Sequence, residues 1–194
     1  MKKTENPKKK KGGKLTLVII VIALAVMAFA LFKIAQIYKD YQESEQAFEK
    51  LEETYVVNPD GSSVAEDDWN DDTRIQFDAL KKENPDIMAW LRFDNFDDVH
   101  ISYPVLYSGD DSKYLRSDIY GNYHIAGCIF LEGLNNPDFT DYHSIIYGHN
   151  MHNGSMFGKL SRYDDESFYY TEGHDMFYIY TENKIMQYRI FSAY

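Results

Sequence analysis

Apolar and polar positions divide the chain into distinct textures. Leu15–Phe32 (LTLVIIVIALAVMAFALF) is apolar everywhere except Thr16, and Lys14 and Lys33 bracket it. At about 1.5 Å per residue its helix spans roughly 27 Å, close to a bilayer's hydrocarbon core. Residues 15–32 are therefore expected to form a transmembrane signal anchor. Ala28-Phe29-Ala30 resembles a signal-peptide cleavage box but lies inside the apolar run rather than after it, so the segment is read as uncleaved. Over residues 33–55, without Gly or Pro, Ile34, Ile37, Tyr41, Phe48 and Leu51 recur at roughly helical spacing and predict a juxtamembrane helix. Residues 56–70, with Asn58-Pro59-Asp60-Gly61-Ser62-Ser63 and an acidic patch, read as a linker. A helix is expected to restart near Asp72 or Thr73, with Ile75, Phe77, Ala79 and Leu80 on its apolar side, and to end at Asn84-Pro85.

From Ile87 the texture becomes that of strands. Segments rich in Ile, Val, Tyr and Phe (MAWLRF, VHISYPVLY, IAGCIFLE, HSIIYGH, MFYIYT, KIMQYRIFSAY) alternate with Gly, Asn and Asp. Met176–Tyr180 and Ile185–Tyr194 read as a hairpin, and Ser112–Asp118 and Ser155–Tyr163 as short helical turns. The fold expected for residues 71–194 is mainly β with flanking helices (α+β), a mostly antiparallel barrel with the helices outside. The last six residues still read as strand, so the barrel is expected to be incomplete.

Charge adds a direction. Residues 1–14, a basic head, carry seven Lys and one acid, a charge of +6, so the remainder of a chain of net charge −11 carries −17. Lysines beside an apolar span stay cytoplasmic, which puts the C-terminal body outside the membrane. The acidic body repels phosphate and excludes a nucleic-acid partner. A single Cys excludes an internal disulfide and a CxxC zinc site.

Candidate chemistry concentrates in Tyr142–Phe157. His149 follows a strand and a Gly, where a cleft can reach an imidazole suited to proton transfer near neutral pH. His143, His149 and His152 are close in sequence, but a helical HExxH is absent, and no metal or other cofactor is expected. Cys128 and His149 are conceivable as a nucleophile–base pair, although Cys128 lies in the apolar stretch Ile125–Phe130, where a thiol more often packs than reacts. Ser144 and Ser155 lack the G-x-S-x-G elbow.

The blocks Tyr147-Gly148-His149-Asn150-Met151 and Gly154-Ser155-Met156-Phe157 resemble the histidine motif of class B sortases. Ile101-Ser102-Tyr103-Pro104-Val105, Asp111-Ser112-Lys113-Tyr114-Leu115, Gly121-Asn122-Tyr123 and Gly127-Cys128-Ile129-Phe130 follow that family's order and approximate spacing. The resemblance, over about Thr73 to Tyr194, implies a sortase-like β-barrel on the outside of a Gram-positive cell membrane and a cysteine transpeptidase. Such an enzyme cuts a C-terminal sorting signal, often NPxTN-like. It then joins the cut protein to an amine of the cell-wall precursor or to a pilin lysine. His149 matches the catalytic His; Leu115, Tyr147 and Asp111 match positions of the substrate groove. The family's Cys, in a T-L-x-T-C-like motif, and its Arg lie well after the His. Arg162 and Arg189 come too early, and Cys128 precedes the His by 21 residues. The chain thus reads as a C-terminally shortened, inactive fragment. The alternative is a non-catalytic envelope module that binds a partner strand along the barrel's open edge.

Overall fold

The computed structural model describes residues 13–62, 64, 74–93, 99 and 101–194. The chain divides into two units, Met1–Lys39 and Asp40–Tyr194. Helix α1, Gly13–Tyr55, runs through the expected anchor and juxtamembrane helix without a break, as the lack of Gly and Pro after Gly13 allows. Its first half is exposed on all sides and is long and apolar enough to cross a membrane, a candidate anchor. The expected apolar stripe is shorter than the spacing suggested. Ile34 and Ile37 are exposed, and the buried positions are Ser44, Phe48 and Leu51, four and three residues apart. Most of the Lys-rich head lies outside the described residues.

After α1, β1 (Val56–Val57) pairs antiparallel with β2 (Arg74–Ile75), so the expected linker begins as a strand. Asp72 and Thr73, expected to cap the next helix, and most of the acidic patch lie outside the described residues. The helix itself, α2, spans Phe77–Glu83, and Ile75 belongs to β2 instead of the helix's apolar side. Asn84 ends α2 in extended conformation, as Pro85 demands of the residue before it.

The main sheet contains β3 (Ile87–Phe93), β4 (Ser102–Leu106), β5 (Ile129–Leu131), β6 (Ile146–Tyr147), β7 (Met176–Thr181) and β8 (Ile185–Arg189). Its order is β6-β5-β4-β3-β7-β8, curled into a half-barrel; β4 and β5 run parallel and the other pairs antiparallel. A 3-10 helix, Gly158–Asp164, and helix α3, Glu166–Tyr169, connect β6 to β7. The expected helical turn at Ser112–Asp118 is a series of turns and a bridge, with no helix. The β7–β8 hairpin forms as its alternation predicts, but β8 stops at Arg189 and residues 190–194 are irregular.

The core centres on β3, in the middle of the sheet, where Ile87, Ala89 and Trp90 are fully buried. Part of α1 closes over it. Phe48 meets Tyr103 edge-on at 5.3 Å between ring centroids. The Trp90 indole N–H donates to Ser102 Oγ (2.9 Å), and that hydroxyl donates to a Glu52 carboxylate oxygen (2.6 Å). Ser102→Ala removes the acceptor of a buried N–H and one donor to Glu52. The expected loss in unfolding free energy is about 1–3 kcal/mol, read by denaturant unfolding of the full chain in detergent. Ser112→Ala, on the surface, changes it by less than about 0.5 kcal/mol.

Candidate active site

Two loops meet the open end of β5 and β6. The first, following β4, carries Asp111, Leu115 and Arg116. It is fixed at its centre by Tyr114, whose hydroxyl donates to Asp86 Oδ2 (2.7 Å) and accepts from Asn84 Nδ2 (2.9 Å). Lys113 donates to the same Asp86 oxygen (2.6 Å), and Asn84 also donates to the Ile119 carbonyl (2.7 Å). The turn between α2 and β3 thus holds this loop in place. Gly127 lets the incoming strand approach: its φ is +59°, and a Cβ there would lie 2.5 Å from Tyr114 O and 2.6 Å from Leu115 O. The next amide, Cys128 N–H, donates to Tyr114 O at 3.0 Å.

The second loop carries His149. Phe130 pairs with Tyr147 across β5 and β6, and continuing that register sets Gly148 opposite Ile129 and His149 opposite Cys128. Gly148 is packed against Ile129 and the Phe157 ring. The His149 carbonyl accepts from Phe157 N–H (3.0 Å), and Asn150 bridges to Met156. The Met156 N–H in turn donates to the buried Tyr103 hydroxyl at 3.1 Å. The backbone at His149 is therefore set by its own loop, while its half-buried side chain is left for chemistry.

The residues singled out in the sequence fall along this junction. Leu115 and Tyr147 are partly exposed, and the Tyr147 ring packs on Phe130 at 5.3 Å. Partial desolvation and then the charges of Glu132 and Asp111 raise the Tyr147 phenol above its ordinary value. Asp111 Oδ1 accepts from Gly133 N–H (2.6 Å), so its carboxylate also ties two loops together. His149 is held below its ordinary value by desolvation first and by the Arg116 charge second. Arg116, which the sequence did not single out, is thus a cation whose charge acts on His149. The only cue in the sequence was its place beside Leu115.

Cys128 is fully buried, its thiol donates to Ser117 O (3.3 Å), and burial together with the Asp118 charge raises it far above the ordinary thiol value. This burial leaves no accessible thiol for His149 and counts against the Cys128–His149 pair conceivable from the sequence. Among the described residues no group of three His, Cys, Asp or Glu is placed to hold a metal ion.

The depressed His149 value has a sign. The unfolded chain binds the proton more readily, so stability rises with pH between the depressed value and the ordinary 6.5. Above that window the contribution is fully present; it is lost as pH falls through it. His149→Gln flattens the slope of unfolding free energy against pH in that window, read by denaturant unfolding at a series of pH values.

No family model matches the chain. Sortase B of Listeria monocytogenes serovar 1/2a is 32% identical over 157 residues, 81% of this chain and 59% of the relative. Sortase B of Staphylococcus aureus (strain NCTC 8325) is 29% identical over 182 residues, 93% of this chain and 68% of the relative. The crystal structure of Bacillus anthracis sortase B in complex with AAEK1 superposes with a TM-score of 0.66 at 30% identity, over 81% of this chain and 69% of that one. The chain belongs to the class B sortase family. It spans between about three-fifths and seven-tenths of these sortases. The sortase family is one of cysteine transpeptidases, and the curled half-barrel and the loop that carries His149 are this chain's share of that fold.

Proposed function

We propose that this chain is the membrane-anchored, His-bearing part of a class B sortase-type transpeptidase, with residues 15–32 in the membrane, the Lys-rich head inside and the sheet outside. The relationship to sortase B, with His149 held at the end of β6 beside the Asp111–Arg116 loop, is the observation that carries this reading. The substrate is an NPxTN-like sorting signal, lying against Leu115, Tyr147 and Asp111. In the reaction a thiolate attacks the scissile carbonyl, the C–N bond breaks, and His149 passes a proton to the leaving amine. An amine of a cell-wall precursor or a pilin lysine then attacks the thioester, gives a proton to His149 and releases the thiolate.

The nucleophile is not Cys128, and the sequence contains no other Cys. The chain as given is therefore expected to be inert alone. The test is a chimera in which the segment of Listeria sortase B that carries the later Cys and Arg is appended after Tyr194. The chimera is expected to cleave a quenched NPxTN peptide and, with an added amine, to form the transpeptidation product; the 194-residue chain does neither. A cooperatively folded chimera that leaves NPxTN peptides intact overturns the reading.

A further inference from the structure

We propose that Arg116 is a specificity-determining residue of the His149 site, one that selects a peptide bearing a carboxylate next to the apolar residue that meets Leu115. The inference deepens the proposed function by naming the charge of the ligand, and it rests on that reading for the ligand being a peptide. Three observations carry it.

The first is that Arg116 is held. Its carbonyl accepts from His124 N–H (2.9 Å), and its Nη1 donates to Ile125 O (2.8 Å). Its neighbour Tyr114 is locked by Asp86 and Asn84. A guanidinium fixed by one arm presents its remaining N–H donors in a preset direction.

The second is its position. Cys128, one residue before β5, bonds to Tyr114 O and Ser117 O on either side of Arg116, and β6, paired with β5, ends two residues before His149. The Arg116 charge is felt at His149, where it adds to desolvation in lowering the imidazole's value. Leu115, the residue before it, is 45% exposed, and Tyr147 38%. An exposed apolar side chain and a cation side by side on this loop offer adjacent places to an apolar and an anionic group of a ligand.

The third is that the charge is unmatched. Among the described residues no carboxylate pairs with Arg116, although the body after residue 14 carries −17. Acids of the same loop and of the loop after β5 have other partners. Asp118 accepts from Tyr120 and Asn122 N–H, Asp111 from Gly133 N–H, and Glu132 from the Tyr147 hydroxyl. A guanidinium pairs with a carboxylate through two parallel hydrogen bonds, which neither a neutral amide nor an ammonium can offer in return.

The experiment titrates the full chain in detergent micelles with two end-capped peptides, Asn-Pro-Glu-Thr-Asn and Asn-Pro-Gln-Thr-Asn. The Glu peptide is expected to bind about fivefold more tightly, the range of an exposed ion pair, and the preference shrinks as salt is raised. Arg116→Gln abolishes the preference and Arg116→Lys keeps part of it. Equal affinities for the two peptides in the unaltered chain, or a preference that survives Arg116→Gln, overturn the proposal. Failure of both peptides to bind counts against the sorting-signal reading, and Arg116 is then tested by adding acetate and inorganic phosphate while the His149 ring resonances are followed by NMR. Shifts with acetate that vanish in Arg116→Gln support a carboxylate site. Shifts with phosphate alone, or with neither anion, overturn it.

Discussion

His149→Ala in the chimera with the appended Cys- and Arg-bearing segment is expected to lower kcat for peptide cleavage by about a thousandfold, within the range a positioned acid–base group supplies. The loss falls on kcat because the leaving amine needs its proton only as the C–N bond breaks. The fold survives the change. The loop is closed by the His149 carbonyl, which accepts from Phe157 N–H, and by the Asn150–Met156 bridge, neither of which involves the imidazole. A melting curve matching the parent's separates lost chemistry from lost structure. The pH profile gives a second readout. With His149 held below its ordinary 6.5 by desolvation and by Arg116, the limb that reports its proton lies below that value. Arg116→Gln removes the smaller of the two causes and moves the limb back part of the way. A His149→Ala chimera that keeps a tenth or more of the parent rate removes His149 from the reaction.

What was legible in the sequence follows from how far each feature depends on its neighbours. The β7–β8 hairpin and β3 were readable because strand alternation and bounding turns are local properties. Helix α1 was readable because nothing in its sequence interrupts it. The start of α2 was misplaced because Ile75 is as good a helix-face residue as a strand residue, and only β1, nearly twenty positions earlier, decides between them. The stripe on α1 was drawn too long because a helical period does not say where burial begins; the buried positions start at Ser44. The parallel pairing of β4 with β5 was not readable, since the connection between them contains turns instead of the crossover helix that usually announces it. His149 was singled out by a motif and the strand before it, and the structure places it just beyond the end of that strand. Arg116 was not: its meaning comes from Gly127, Cys128 and the β5–β6 register, which together set the loop beside His149. Asp111 was read as a groove residue, and the contact the structure gives its carboxylate is the one that ties its loop to Gly133.

Cys128 in the folded chain is expected to resist alkylation by iodoacetamide at pH 8, at a rate at least about a thousandfold below that of the chain in denaturant. Two causes act together. The side chain is inaccessible, with Sγ directed at Ser117 O inside the loop that packs on β5. The thiolate is also disfavoured, because burial removes its solvation and Asp118 adds a negative charge nearby. A reactive thiol needs the opposite surroundings, an adjacent cation and access to water. Arg116 lies between Tyr114 and Ser117, whose carbonyls Cys128 bonds, yet its Nη1 is committed to Ile125 O and its charge is felt at His149. Cys128→Ala in the chimera should accordingly leave peptide cleavage within about twofold of the parent, since the group lost is one packed sulfur atom and not a nucleophile. Rapid alkylation of the native chain, with a pH midpoint below 8, would mean that β5 opens readily enough for Cys128 to act on its own. It would return the pairing with His149 to consideration and make an appended nucleophile unnecessary.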